Sequence, residues 1–204
     1  MGVNLNKTVL VILAEGFEDI EAVTPIDVLN RAGANVTISG METRPVRGAY
    51  GSTIIGHTTI DKVEGIFDAL IFPGGIQSAK TLANNPLVVE LVRHHHETGK
   101  LIAAIGASPG YLLAESAGIL IGRQATGDPD LYNKLIAAGA LVINEPVVKD
   151  GNIITGIGPG SAILFSLTII ECLFDRETAD SFAREWHISR HRTMPAGQLA
   201  DVSL

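Results

Sequence analysis

Leu101-Ile102-Ala103-Ala104-Ile105-Gly106-Ala107-Ser108-Pro109-Gly110 is the stretch that decides the fold. Apolar residues of strand length run into a sharp turn. Small residues follow, and then a proline suited to the first turn of a helix. This is the form of a nucleophile elbow, which forces its central residue into an unfavourable backbone conformation and needs small neighbours for close packing. Such a turn aims the N–H groups of the helix N-terminus at whatever occupies it. The elbow residue is ordinarily Ser or Cys. Here it is Gly106, which has no side chain and adopts positive φ without strain.

Outward from the elbow, apolar runs of strand length alternate with helical segments. Thr8–Leu13 is apolar and β-branched, as a strand buried on both faces requires, and a helix is expected from Glu18 to Ala32 with Gly33 to end it. Pro25 predicts a kink or a fresh start inside that helix. Strands are expected at Asn35–Ser39, Ala69–Phe72 and Leu101–Ile105, with a hairpin excursion between Val46 and Thr59. A helix runs from Pro86 to Thr98, and an Ala/Leu-rich helix leads from the elbow to Ala117. Further on come a short strand at Arg123–Thr126, a helix at Pro129–Ala138, and strands at Leu141–Ile143 and Val147–Ile154, the latter turning at Asp150-Gly151. Helices at Ser161–Leu173 and Arg176–Trp186 close the pattern. This alternation predicts an α/β fold with a mostly parallel sheet and helices on both faces. Its site belongs at the carboxyl ends of the strands, where the loops after Leu13, Phe72 and Ile105 meet the loop at Gly156–Gly160.

Composition bounds the function. The 204 residues are 46% hydrophobic and 18% charged, enough for one domain with a full core, and neither a linker nor a repeat divides them. A net charge of −7, with only 15 scattered Lys and Arg, argues against nucleic acid and against anionic membranes. The apolar run Thr8–Ala14 is too short to span a bilayer. Cys172 is the sole cysteine, so no internal disulfide forms, which is compatible with a cytoplasmic setting.

Ala103-Ala104-Ile105-Gly106-Ala107-Ser108-Pro109-Gly110 resembles the Ala-Ala-Ile-Cys-Ala-Ala-Pro segment of the ThiJ/PfpI superfamily, in the branch of the parkinsonism-associated deglycase and its bacterial homologues. Gly16-Phe17-Glu18-Asp19-Ile20-Glu21-Ala22-Val23-Thr24-Pro25, Asp27 and Arg31-Ala32-Gly33 agree in order and spacing. So do the Pro73-Gly74-Gly75 and Gly158-Pro159-Gly160-Ser161 loops. The resemblance implies a flavodoxin-like three-layer sandwich of the class I glutamine-amidotransferase type, a homodimer, and no cofactor. It also implies glyoxalase, deglycase or amidase chemistry on a small-molecule carbonyl or anion, or a stress-linked, chaperone-like role. In the family a cysteine of low pKa stands at the elbow and hydrogen-bonds a carboxyl matched here by Glu21. The oxyanion N–H groups map to Gly75 and Ala107, and Gly74, Ser108, Asp128, Gly158 and Pro159 fall around the pocket. Asp128 stands where animal members carry a histidine, and Tyr50 and Ile157 where they carry arginines. These departures remove cations that would hold an anionic substrate.

Three accounts of Gly106 stay open: a natural member that has lost thiol chemistry, an engineered removal of the nucleophile, or a site re-equipped with another group. Glu21 has a plainer reading as an acid complementing the helix dipole, alongside Glu18 and Asp19. As a pocket residue it would have its pKa raised by desolvation and would need a partner. Ser108 is expected to cap its helix and Cys172 to be a buried core thiol. His94-His95-His96 point about 100° apart on a helix and cannot share a metal, so a solvated helix end is expected. His187 and His191 share a face but lack a metalloprotease pattern, and no metal site is expected. The tail His187–Leu204 matches nothing in the family.

Overall fold

The computed structural model describes residues 6–188. Its elements in order are β1 (Thr8–Leu13), α1 (Asp19–Arg31), β2 (Asn35–Gly40), β3 (Pro45–Arg47), β4 (Thr53–Ile55), β5 (Thr58–Thr59), β6 (Ala69–Phe72), α2 (Ile76–Ala83), α3 (Pro86–Glu97) and β7 (Leu101–Ile105). A π-helix at Pro109–Ser116 follows, then β8 (Gln124–Ala125), α4 (Tyr132–Ala137), β9 (Leu141–Val142), β10 (Val147–Asp150), β11 (Ile153–Gly156), α5 (Ala162–Leu173) and α6 (Arg176–Glu185).

The main sheet has the order β10-β11-β7-β6-β1-β2-β5, parallel except for the antiparallel β10–β11 hairpin. Its parallel core, β2-β1-β6-β7-β11, is the flavodoxin-like arrangement, with strand order reversing beside β1. Alternation along each strand divides the core in two. Val9, Val11, Ile71, Ala103 and Ile105 pack with Leu29 of α1 and Phe165 and Ile170 of α5. Leu10, Ile12, Leu70, Ile102 and Ala104 face Leu82, Val88 and Val92 of α2 and α3 and Leu112 and Leu113 of the π-helix. Helices on both faces make the three layers expected.

Several local expectations are corrected. Helix α1 runs unbroken through Pro25, which begins no new helix. The helix after the elbow is π-wound, with Ala117 N–H reaching back to the Leu112 carbonyl at 2.8 Å. Helix α2 was not anticipated. The triple histidine is not a solvated end: His95 is fully buried on the α3 stripe with Val88 and Val92. Its Nε2 accepts from the Phe67 N–H at 3.2 Å and its Nδ1–H donates to the Leu91 carbonyl at 2.9 Å. Cys172 is half-buried at the margin of the α1/α5 cluster rather than at its centre. The hairpin excursion is present as antiparallel β3–β4. The tail beyond Ile188, with His191 of the expected histidine pair, lies outside the described residues.

Candidate active site

The carboxyl ends of β1, β6, β7 and β11 converge on a cavity of about 570 Å³. Six segments line it: Gly16 and Glu18 with Glu21 of α1, Ala49-Tyr50 from the β3–β4 hairpin, Gly75-Ile76-Gln77, Gly106-Ala107, and Asp128-Pro129 facing Ile157-Gly158-Pro159. Gly74 and Ser108, expected on this wall, stand just behind it.

Gly106 takes φ +62°, the left-handed conformation the elbow demands. Both of its backbone groups are fixed: its N–H donates to the Gly156 carbonyl at 3.0 Å, and its own carbonyl accepts from the Asp128 N–H at 2.8 Å. The elbow is thereby tied to the β11 and Asp128 loops at once. Ser108 does not cap its helix. It is fully buried, and its hydroxyl donates to the Pro73 carbonyl at 2.6 Å, joining the elbow to the β6 loop.

Glu21 sits in the first turn of α1, 2% exposed, and its Oε2 accepts from the Gly74 N–H at 2.7 Å. That N–H is the partner its burial required. Glu18 caps the same helix, its carboxylate accepting from the Glu21 N–H at 2.8 Å. Burial pushes the Glu21 carboxyl up to about 8, against the lowering pull of the Gly74 N–H, and the negative charges of Glu18 and Asp128 add to the rise. A Cβ built on Gly106 would stand 2.6 and 2.7 Å from the two Glu21 oxygens, so the carboxyl already fills the space a side chain at 106 would enter. The Gly158 position is also close to this group, its built Cβ falling 3.9 Å from Glu21 Oε1.

Asp128 caps the turn Pro129–Leu131 by accepting from the Asp130 N–H at 3.0 Å. Tyr50 is 80% exposed at the cavity mouth. The lining thus holds three carboxyl side chains and no Lys, Arg or His among the described residues. An anionic ligand finds no cationic side chain on this lining. No group of three His, Cys, Asp or Glu suited to a metal occurs among the described residues.

Sequence reasoning placed Gly106, Ala107, Glu21, Gly75, Asp128, Gly158 and Pro159 at one site, and the structure brings them together. It missed Asp19, whose Oδ1 and Oδ2 accept from the Ser52 and Tyr50 N–H groups, each at 3.0 Å, and hold the hairpin tip over the cavity. Asp19 reads in sequence as one more acid in a helical first turn, and only the fold reveals what it grips.

Comparison with known proteins agrees with this fold. The profile of the DJ-1/PfpI family matches residues 7–172. A Parkinson disease protein 7 homolog from Danio rerio is 38% identical over 177 residues, covering 85% of this chain and 93% of that protein. Protein DJ-1 homolog A from Arabidopsis thaliana is 39% identical over 87% of this chain, which spans only 45% of that longer relative. A glutathione-independent glyoxalase from Caenorhabditis elegans is 34% identical over 87% of this chain and 95% of its own length. Among solved structures, Drosophila melanogaster DJ-1beta superposes with a TM-score of 0.85 at 34% identity, covering 90% of this chain and 99% of that one.

Proposed function

Since the chain belongs to the DJ-1/PfpI family, we propose that it keeps the elbow cavity as a non-covalent small-molecule site and performs no thiol chemistry there. A thiol mechanism needs a thiolate at the reacting carbon. Glycine stands at 106, and the sole cysteine, Cys172, belongs to α5, where burial pushes its thiol up. One observation carries the reading: Gly106 brings no reacting atom to the elbow, and the Glu21 oxygens stand 2.6 and 2.7 Å from where its Cβ would be. Gly75 and Ala107 are assigned to a ligand oxygen through their N–H groups, with Asp128, Gly158 and Pro159 as the facing wall. Such a protein acts by binding, which accommodates the stress-linked, chaperone-like role.

A relative is a glyoxalase, so the decisive substrate is methylglyoxal. The purified chain is expected to give no turnover above buffer, and sustained turnover overturns the reading. A second reading has its own support in Glu21, a carboxyl near pH 8 on the cavity wall, suited to shuttle a proton without a nucleophile. Turnover abolished in Glu21→Gln would decide for it. The homodimer and the cytoplasmic setting rest on the family resemblance. Ile20 and Val23, exposed on α1, support an association face, which light scattering on the eluted peak tests.

A further inference from the structure

We propose that the elbow cavity selects a small organic cation, a primary ammonium compound, whose charged group is received by Glu21, Glu18 and Asp128. This rests on reading the cavity as a ligand site and adds the charge of its ligand. The loops contribute those carboxyls from two directions, the start of α1 and the turn before α4. Facing them, the hairpin offers Tyr50 and α2 offers Gln77, and no lining residue among those described is basic.

Acidic side chains alone would mean little, because each could be a solvated cap. Glu18 and Asp128 do cap, each with a carboxylate oxygen spent on a backbone N–H. Glu21 differs. It is almost wholly buried, yet it lines the cavity. Gly74 N–H is the one donor to it among the described residues, and that bond uses Oε2, leaving Oε1 without one. That oxygen opens on the cavity and no protein group among the described residues donates to it, so it is free to accept a hydrogen bond from a ligand. An ammonium group supplies up to three donors and the opposite charge. A cavity of about 570 Å³ accommodates such a ligand with room for its remaining atoms.

A proton balance follows. Without ligand the Glu21 carboxyl holds its proton at neutral pH, and an ammonium brought to it favours the carboxylate. Binding therefore releases a proton from Glu21 to solvent, and affinity rises as pH approaches 8; among the described residues the other acidic side chains lining the site are Glu18 and Asp128. An anion meets the reverse: carboxylates nearby and no countercharge.

The test uses three compounds of matched size: ethanolamine (cation), ethylene glycol (neutral) and glycolate (anion). Backbone amide shifts of Gly74, Gly106 and Asp128 are followed by NMR. Ethanolamine is expected to bind at least about tenfold more tightly than glycolate, with ethylene glycol between, and more tightly at pH 8 than at pH 6.5. Glu21→Gln should weaken ethanolamine about tenfold and abolish its pH dependence. The double variant Glu18→Gln with Asp128→Asn keeps both capping oxygens, so it should fold and still lose ethanolamine affinity. Glycolate binding as tightly as ethanolamine overturns the proposal. So does a failure of ethanolamine to bind, or its undiminished binding by both variants. Methylglyoxal turnover alongside preferred ethanolamine binding would sink only the non-catalytic reading, whereas glycolate preference without turnover would sink only the charge assignment.

Discussion

At Gly106 two constraints act on one atom. The backbone sits at φ +62°, where a side chain is strained, and the space beside its Cα is filled by the Glu21 oxygens. Strain of this kind costs about 1–3 kcal/mol, to which displacing the carboxyl from its Gly74 bond adds. Gly106→Ala and Gly106→Cys are both expected to melt lower than the parent. Differential scanning calorimetry measures this, and a melting temperature unchanged in Gly106→Ala would mean that neither constraint operates. The cysteine variant carries a second expectation. A thiolate at 106 would lie against a carboxyl that still holds its proton at neutral pH, and a hydrogen bond from that proton favours the thiolate. Its reactivity towards an alkylating probe should titrate below the ~8.5 of a free cysteine, whereas a midpoint at or above that value would show that Glu21 gives no such bond.

At the scale of elements, the β3–β4 hairpin owes its position to side chains outside it. Glu15 accepts from the Arg47 N–H at 3.0 Å, and Asp19 takes the Tyr50 and Ser52 N–H groups at the tip. Gly48 packs so closely on Asp19 that a built Cβ would stand 2.5 Å from Oδ2. Asp19→Ala is expected to raise hydrogen exchange at the Tyr50 and Ser52 amides about tenfold and leave the β1 amides unchanged. Equal exchange at the tip would mean that the hairpin's own ladder holds it. What was legible here follows from how local each signal is. Turn glycines announced the hairpin, but its anchor is a contact 31 residues distant in sequence from Tyr50. Helix α2 escaped notice because it is only eight residues long and starts at Gly75, a cap without a side chain to announce it. His95 was readable in principle, since Val88, Val92 and His95 fall on one helix face. Composition alone hid it, because adjacent histidines suggest solvent.

The molecule as a whole was the most legible level. Apolar strands alternating with helices specify a parallel sheet, and loops at its carboxyl ends must meet where the strand order reverses. The elbow, the glycine loops and Glu21 could therefore be assigned to one place without coordinates. Charge around that place could be listed from sequence, but the burial that gives it consequence could not. Burial makes Glu21 a term in global stability. Its carboxyl is raised from 4.5 to about 8, so between those values the folded chain holds a proton that the unfolded chain has lost. Stability must then fall as pH rises through this window, with a limiting slope of about 1.4 kcal/mol per unit. His95 acts in the opposite sense at lower pH. Desolvation, aided by His94 and Lys100 and opposed by the Leu91 carbonyl, holds it below 6.5, so its stabilisation is lost as pH falls below that value. The Glu21 contribution is therefore cleanest between pH 6.5 and 8. Urea unfolding across that range should show the parent losing about 1–2 kcal/mol relative to Glu21→Gln, whose amide oxygen can still accept from Gly74. A difference between the two proteins that stays constant with pH would mean that Glu21 is already ionised in the folded chain. The proton release expected on ammonium binding would then vanish with it.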